Sequence, residues 1–367
     1  MDYFEEIASR LMKWTDGERS GPYSLEFFVD KACNQKCRFC DSNKSNKSLD
    51  FNAAFKILRE ANKLDVKRCS VVGLGEPFFK KNKMIKLMEK IKQYDMFGNI
   101  LTNGTLLDEK IVKKLIEIEW DEIEFSIHGP DAATHDYLVR LPGAFDKVVH
   151  NIRRFNYWKQ KLKKDKPRLR TCFTLNKVNY NKIEDMIRLC EKLKCSFLLR
   201  PLEIENEDDD QMKILVLNDN EKNIAKEKMK KIKIFKKTKI EISLPHKDGK
   251  FVTEIFNNKM KSEEKKSIEP DNFINSMCFE PWFNITIRDY RYFGACCRSI
   301  YSNLNKKNER KYKSLKDIWF GEYFEKMRKN SIKREFKDFC SACCNDFVND
   351  DTVCISKKLK TMINQKK

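Results

Sequence analysis

Short apolar runs and longer amphipathic stretches alternate through the first two hundred residues of this 367-residue chain. Runs at 24–29, 69–74, 99–102, 122–127, 170–175 and 196–199 have the length and β-branched content of strands. Between them, apolar residues recur at helical spacing over 51–64, 83–94, 108–119, 145–161 and 183–193. Each strand-like run ends at a turn signal: Asn34, Gly73 and Gly75, Asn103-Gly104, Gly129-Pro130, Asn176, and Pro201. Strands and helices in strict alternation predict an α/β fold with a parallel sheet covered by helices. In such sheets chemistry gathers beyond the carboxyl ends of the strands.

The pattern changes after the sixth run. An acidic stretch at 203–210, a Lys-rich helical stretch at 218–237 and a charge run at 263–266 read as solvated connections. Beyond them, 284–295 reads as a hairpin. The expected organisation is therefore an N-terminal extension over 1–21, a core over 22–205, a charged helical linker over 206–270, a small C-terminal domain over 271–360 and a basic tail over 361–367.

Composition adjusts this picture in two ways. The net charge of +20 comes mainly from Lys, which reads as solvated helix faces rather than the Arg- and aromatic-rich patches of a nucleic-acid binder. A zinc-stabilised nucleic-acid-binding module is the remote alternative, and neither nucleic acid nor membrane is an expected partner. No apolar run reaches the ~18 residues of a membrane span, and residues 1–13 lack the apolar centre of a signal peptide. A cytoplasmic location is expected. The 14 cysteines then favour metal binding over a disulfide framework.

The cysteines fall into two sets. Cys33, Cys37 and Cys40 are spaced C-x3-C-x2-C directly after the first strand-like run. Three thiolates on one loop can hold three corners of a [4Fe–4S] cluster and leave the fourth iron open. No further Cys or His follows until Cys69, which argues against a closed tetrahedral zinc site. The second set lies near the C-terminus. Cys278, Cys296, Cys340 and Cys343 supply four ligands for one closed site, with Cys297, Cys344 and Cys354 to spare. Cys69, Cys172, Cys190 and Cys195 lie in apolar contexts and read as small buried hydrophobes.

With these companions the chain resembles the radical S-adenosylmethionine enzymes, in particular those with a C-terminal SPASM or twitch domain. The resemblance rests on Cys33, Cys37 and Cys40 with Phe39, on Gly73-Leu74-Gly75-Glu76-Pro77, on Leu101-Thr102-Asn103-Gly104 and on Ser126-Ile127-His128-Gly129. Tyr137–Arg140, Gly143–Asp146, Ser314–Trp319 and Cys340-x2-Cys343 extend it. It implies a partial (β/α)6 TIM-like barrel with a small iron–sulfur domain behind it.

The resemblance also implies cofactors and roles. The three-cysteine loop would hold the cluster that binds S-adenosylmethionine, whose reductive cleavage gives a 5′-deoxyadenosyl radical that abstracts hydrogen from the substrate. Phe39, Gly73, Gly75, Glu76, Ser126 and Arg140 become cofactor-binding candidates: Gly73–Glu76 for the methionyl ammonium, Ser126 for ribose or carboxylate, and Arg140 for the carboxylate. His128 is the weak catalytic candidate. An auxiliary [4Fe–4S] cluster on Cys278, Cys296, Cys340 and Cys343 would accept an electron, which favours net oxidation of a small sugar- or cyclitol-like substrate. A peptide-modifying maturase is the alternative. The 32 residues before Cys33 are too few for a peptide-recognition domain. A flavodoxin- or ferredoxin-type electron donor is the implied protein partner.

Overall fold

The computed structural model describes residues 3–29, 32–40, 50–73, 75–202, 210–230, 240–242, 278–288, 292–296 and 314–333, and 355, 358–359, 361–363 and 365. Cys340 and Cys343, with Cys297, Cys344 and Cys354, lie outside the described residues, as does most of the expected linker.

Helix α1 (Tyr3–Thr15) precedes strand β1 (Ser24–Val29). The repeating unit follows: α2 (Phe51–Lys63), β2 (Arg68–Gly73), α3 (Lys81–Gln93), β3 (Phe97–Thr102), α4 (Glu109–Glu117) and β4 (Glu122–Ser126). Two helices, α5 (Ala132–Val139) and α6 (Ala144–Leu162), lead to β5 (Arg168–Leu175), then α7 (Ile183–Lys192) and β6 (Ser196–Pro201). Beyond these come α8 (Asp210–Lys213), α9 (Asp219–Lys230), β7 (Ile240–Ile242), α10 (Glu280–Phe283), β8 (Asn284–Arg288), β9 (Tyr292–Gly294), α11 (Leu315–Trp319) and α12 (Glu322–Lys333). Side-chain caps fix several helix starts. Asp50 accepts from the amides of Asn52 and Ala53, Asp108 from Ile111 and Asp131 from Thr134.

One nine-stranded sheet runs β7-β6-β5-β4-β3-β2-β1-β8-β9. Among the described residues, β1 to β8 pair parallel throughout and β9 alone turns back antiparallel, on β8. The expected hairpin over 284–295 exists, and it extends the main sheet by docking β8 against β1. This is the α/β architecture of a partial TIM-like barrel.

The two faces of the sheet differ in kind. Leu25, Phe27, Val71, Ile100, Ile123, Phe125, Phe173, Phe197, Leu199 and Ile285 are fully buried in the main core, where the helices pack. Alternate positions carry Glu26, Ser70, Asn99, Glu122, Glu124, Arg170, Arg200 and Thr286, as the strand period of two requires. This inner face is wired by ion pairs. Glu122 binds Arg168 and Arg170, while Glu124 meets Arg170 at 3.4 Å, Arg200 at 3.2 Å and the Asn99 amide at 3.0 Å. Burying charge is costly unless it is paired, so these residues stay where they are through their neighbours on adjacent strands.

Several helices were not legible as such in the sequence, α1 and α5 among them. α1 sits within the stretch expected to be an extension, and its Ile7, Ala8 and Leu11 pack on Phe279, Trp282 and Phe283. Its i, i+4 apolar pairs are the signal. α5 is short and only weakly amphipathic, and Asp131 rather than periodicity marks its start.

Candidate active site at the carboxyl ends of the strands

Residues 32–40 form the loop beyond β1, and backbone and amide contacts hold it on three sides. Glu76 N–H donates to Ala32 O at 2.8 Å from the turn after β2. From the turn after β3, Asn103 Nδ2 donates to Asn34 Oδ1 at 2.9 Å, and Asn34 Nδ2 donates to Thr105 Oγ1 at 2.8 Å. The end of α5 completes the frame, with Lys36 N–H on Val139 O at 3.2 Å and Arg38 N–H on Leu138 O at 2.8 Å.

Cys33, Cys37 and Cys40 are partly accessible in this loop and in no disulfide. The Cys33 sulfur receives Gln35 N–H at 3.4 Å and Asn103 Nδ2 at 3.9 Å, and the Cys37 thiol lies 3.6 Å from Gln35 Oε1. Donors aimed at a sulfur stabilise its thiolate and tune the potential of a cluster it binds. Cys69 supplies no fourth ligand. It is the second residue of β2, on the helix-packed face beside Leu25, is fully buried, and burial pushes its thiol up. A soft set of three accessible thiolates on a fixed loop fits an iron–sulfur cluster with one open iron.

Glu76 is the keystone beneath this loop. Its buried carboxylate accepts from Thr102 Oγ1 at 2.6 Å, Asn103 N–H at 2.8 Å and Phe78 N–H at 3.0 Å. Burial pushes this carboxyl up, and the three donors oppose that by favouring the charged form. The side chain thus locks the turn after β2 to the turn after β3, beside partly accessible Gly73 and Gly75. The same turn needs Gly104, whose φ of +70° suits glycine and whose missing Cβ would meet Phe125 and Val148 at 2.8 Å.

The remaining candidates spread along the same edge. Ser126 ends β4, partly accessible. Phe39 packs edge-on against His128, ring centres 4.6 Å apart at 71°. His128 Nδ1 accepts Thr174 N–H at 3.1 Å, which assigns the ring proton to Nε2. Burial, with His135 adding to it, lowers His128 well below the ordinary range, so it is a neutral imidazole. Arg140 caps α5 in the left-handed conformation, at φ 52°, and is exposed on the outer rim beside Arg38. Asn176 is consumed by its own turn, donating to Thr174 O at 2.9 Å and accepting Val178 N–H at 2.9 Å.

The histidines make the site acid-sensitive. His135 Nδ1 accepts His128 N–H at 3.1 Å, and burial pushes His135 down to about 4 against a weak opposing pull from Asp136. An imidazole whose folded value lies below its unfolded 6.5 binds fewer protons when folded. Stability is then complete above 6.5 and declines as pH falls toward 4, by about 3 kcal/mol for His135 alone. Urea midpoints near neutral pH and near pH 4 should reveal this loss, with the share that His135 carries absent in a His135→Gln variant. Equal slopes in both proteins would show that other groups carry the acid sensitivity.

Two features of the site escaped sequence reading. Asn103 braces the cysteine loop, although Asn-Gly after a strand reads only as a turn. The charged inner face was visible only as alternate charges in Glu122-Ile123-Glu124 and Arg168-Leu169-Arg170. In the second cysteine set, Cys278 precedes α10 and Cys296 follows β9, both partly accessible. Arg328 ties α12 to this region by donating to Pro281 O at 3.0 Å and Trp319 O at 2.9 Å.

Residues 29–190 match the model of the Radical SAM superfamily. A PqqA peptide cyclase of Granulibacter bethesdensis is 28% identical over 136 residues, which is 36% of this chain and 36% of that protein. A tungsten-containing aldehyde ferredoxin oxidoreductase cofactor-modifying protein of Pyrococcus furiosus is 24% identical over 165 residues, 44% of this chain and 46% of the relative. The chain therefore matches between about a third and a half of the length of these curated relatives. Among solved structures, Streptococcus suis SuiB bound to its precursor peptide SuiA superposes with a TM-score of 0.66 at 17% identity, over 92% of this chain and 75% of that one. anSMEcpe with bound AdoMet gives 0.60 at 15% identity, over 94% of each chain. At these identities the likeness is one of fold. The superfamily binds a [4Fe–4S] cluster and S-adenosylmethionine, and three partly accessible thiols on one loop suit such a cluster. Residues 29–190 are therefore a radical S-adenosylmethionine domain.

Proposed function

We propose that this enzyme generates its radical at the Cys33–Cys40 loop and oxidises a small polar, sugar- or cyclitol-like substrate held on the inner face of the sheet. The observation that carries this reading is the inner face itself, where Glu26, Glu124, Arg170, Arg200 and Thr286 replace an apolar core below the cysteine loop. When bound, the cluster and S-adenosylmethionine supply a 5′-deoxyadenosyl radical that removes a hydrogen atom from the substrate. Cys33, Cys37 and Cys40 hold the cluster, the backbone at Gly73–Glu76 meets the methionyl ammonium, and Ser126 meets ribose or carboxylate. Phe39, braced by His128, walls the site and limits water.

Glu26 is suited to handle the substrate's proton. Burial raises its carboxyl, Thr286 Oγ1 donates to Oε2 at 3.2 Å, and Arg200 and Glu124 act on it electrostatically. A carboxylate with a raised value is the better base for a substrate hydroxyl. Cys278, Cys296, Cys340 and Cys343 are the proposed ligands of an auxiliary [4Fe–4S] cluster that takes up the second electron. A one-electron carrier protein supplies the first.

Anaerobically reconstituted protein should carry two [4Fe–4S] clusters and form 5′-deoxyadenosine under dithionite. Stoichiometric zinc without cleavage would overturn the proposal. A second reading, modification of a peptide, is favoured by the 28% identity to a PqqA peptide cyclase. Peptides encoded beside the gene and rich in Cys or aromatics are the substrates to test, and a mass change on one of them would decide for it.

A further inference from the structure

The outward side of the cysteine loop carries a groove. An open groove of about 530 Å3 is lined by Arg38, Ala132, Ala133, Asp136, Tyr137 and Arg140, with Pro142 at its end. Arg38 belongs to the cluster loop itself, between Cys37 and Cys40. Its guanidinium stacks 4.0 Å over the Tyr137 ring, and its Nε donates to Tyr137 O at 3.0 Å. That double restraint holds an arginine at the mouth of the groove. Tyr137 is 48% exposed despite its size.

The charge of this groove is one-sided. Arg38 and Arg140 face it, and Lys36 is exposed in the same loop. The one acidic lining residue is already engaged, because Asp136 accepts the amides of Gly143 at 2.6 Å and Phe145 at 2.8 Å. Arginine and tyrosine around a small apolar floor of Ala132 and Ala133 are the side chains enriched where proteins dock.

We propose that this groove is the docking site of the electron carrier, a small acidic flavin or iron–sulfur protein. The inference rests on the radical reading above, since only a cluster behind Cys37 and Cys40 gives an incoming electron a destination. Docked there, the carrier lies against Arg38, next to Cys37 and two residues from Cys40. One electron leaves the carrier and enters the cluster; no bond forms or breaks, and no proton moves. The guanidiniums of Arg38 and Arg140 meet carrier carboxylates, with Arg140 serving the carrier rather than the cofactor. The net charge of +20 adds long-range attraction for an acidic protein.

The test uses holoenzyme and an FMN-loaded flavodoxin as the probe. Calorimetric affinity is measured for the wild type, Arg38→Glu, Arg38→Lys and Ala133→Glu, with the iron content of each as a control. Ala133 is exposed on α5, so a glutamate there adds charge without touching the fold. Arg38→Glu and Ala133→Glu should weaken binding on the order of tenfold, and Arg38→Lys should restore much of it. Wild-type affinity should fall as salt rises, and more steeply than that of the glutamate variants. Cleavage of S-adenosylmethionine driven by reduced flavodoxin should fall with affinity, while in Ala133→Glu cleavage driven by dithionite stays at the wild-type rate. Unchanged affinity in both glutamate variants would overturn the docking site. Absence of dithionite-driven cleavage in the wild type would instead overturn the radical reading, so the two failures are distinguishable.

Discussion

Replacing Cys33, Cys37 or Cys40 singly by alanine is expected to bring S-adenosylmethionine cleavage to the uncatalysed background, a loss of at least ~10^3-fold, while the apo fold survives. The loop is positioned through Ala32 O, Asn34 and the amides of Lys36 and Arg38, none of which is a thiol. Removing a partly accessible sulfur therefore costs the apoprotein no more than about 1 kcal/mol. The cluster has no such reserve, because Cys69 is buried on the helix-packed face and cannot move in as a substitute. Cys69→Ala is the matching control: it leaves a small core cavity and a modest loss of stability, with cleavage retained. The comparison needs iron and sulfide content, thermal midpoints and 5′-deoxyadenosine yield. Wild-type iron content and cleavage in Cys37→Ala would remove this loop as the cluster site.

The second large effect is expected at Glu76. Glu76→Ala strips the acceptor from Thr102 Oγ1, Asn103 N–H and Phe78 N–H at once, all in a buried setting. Stranded buried donors cost ~1–3 kcal/mol each, so a total loss of roughly 3–5 kcal/mol is expected once local relaxation is allowed for. Glu76→Gln keeps the shape but turns an NH2 group toward donors on one side, for a loss of about 2 kcal/mol. The functional consequence follows from geometry, since the amide of Glu76 also pins Ala32 in front of Cys33. Both variants should raise the KM for S-adenosylmethionine and lower cluster retention, the alanine more than the glutamine. Urea unfolding and cluster content measured on the same samples check this. Wild-type urea stability in Glu76→Ala would mean that the carboxylate does not hold the two turns together.

The alternation of runs placed strands and helices well because each strand is buried on its helix-facing side and each helix presents one apolar stripe. Thus 24–29 coincides with Ser24–Val29, and 51–64 differs from Phe51–Lys63 by one residue. Where the local signal was weak, the sequence said less. The boundaries of β3 and β5 begin earlier than the apolar runs, because Phe97 and Arg168 are held by pairing to the neighbouring strand and not by their own hydrophobicity. α1 shows the same thing on a larger scale: its apolar stripe acquires meaning only against Phe279, Trp282 and Phe283, far away in the chain.

For the site, the chain by itself determined the chemistry that can be held: three thiols at C-x3-C-x2-C spacing after a strand, with glycine turns at the following strand ends. These are properties of residue type and short-range spacing, and they survive without knowledge of packing. The tertiary structure decided how that chemistry is aimed. It turned the Glu76 carboxylate inward as a brace, set His128 as a neutral wall behind Phe39, and faced Arg140 outward beside Arg38. It also gathered Glu26, Glu124, Arg170 and Arg200 from four strands onto one face. Which way a side chain faces, and whether a charge is paired, depends on strand register and on neighbours up to hundreds of residues away, so no local pattern encodes it.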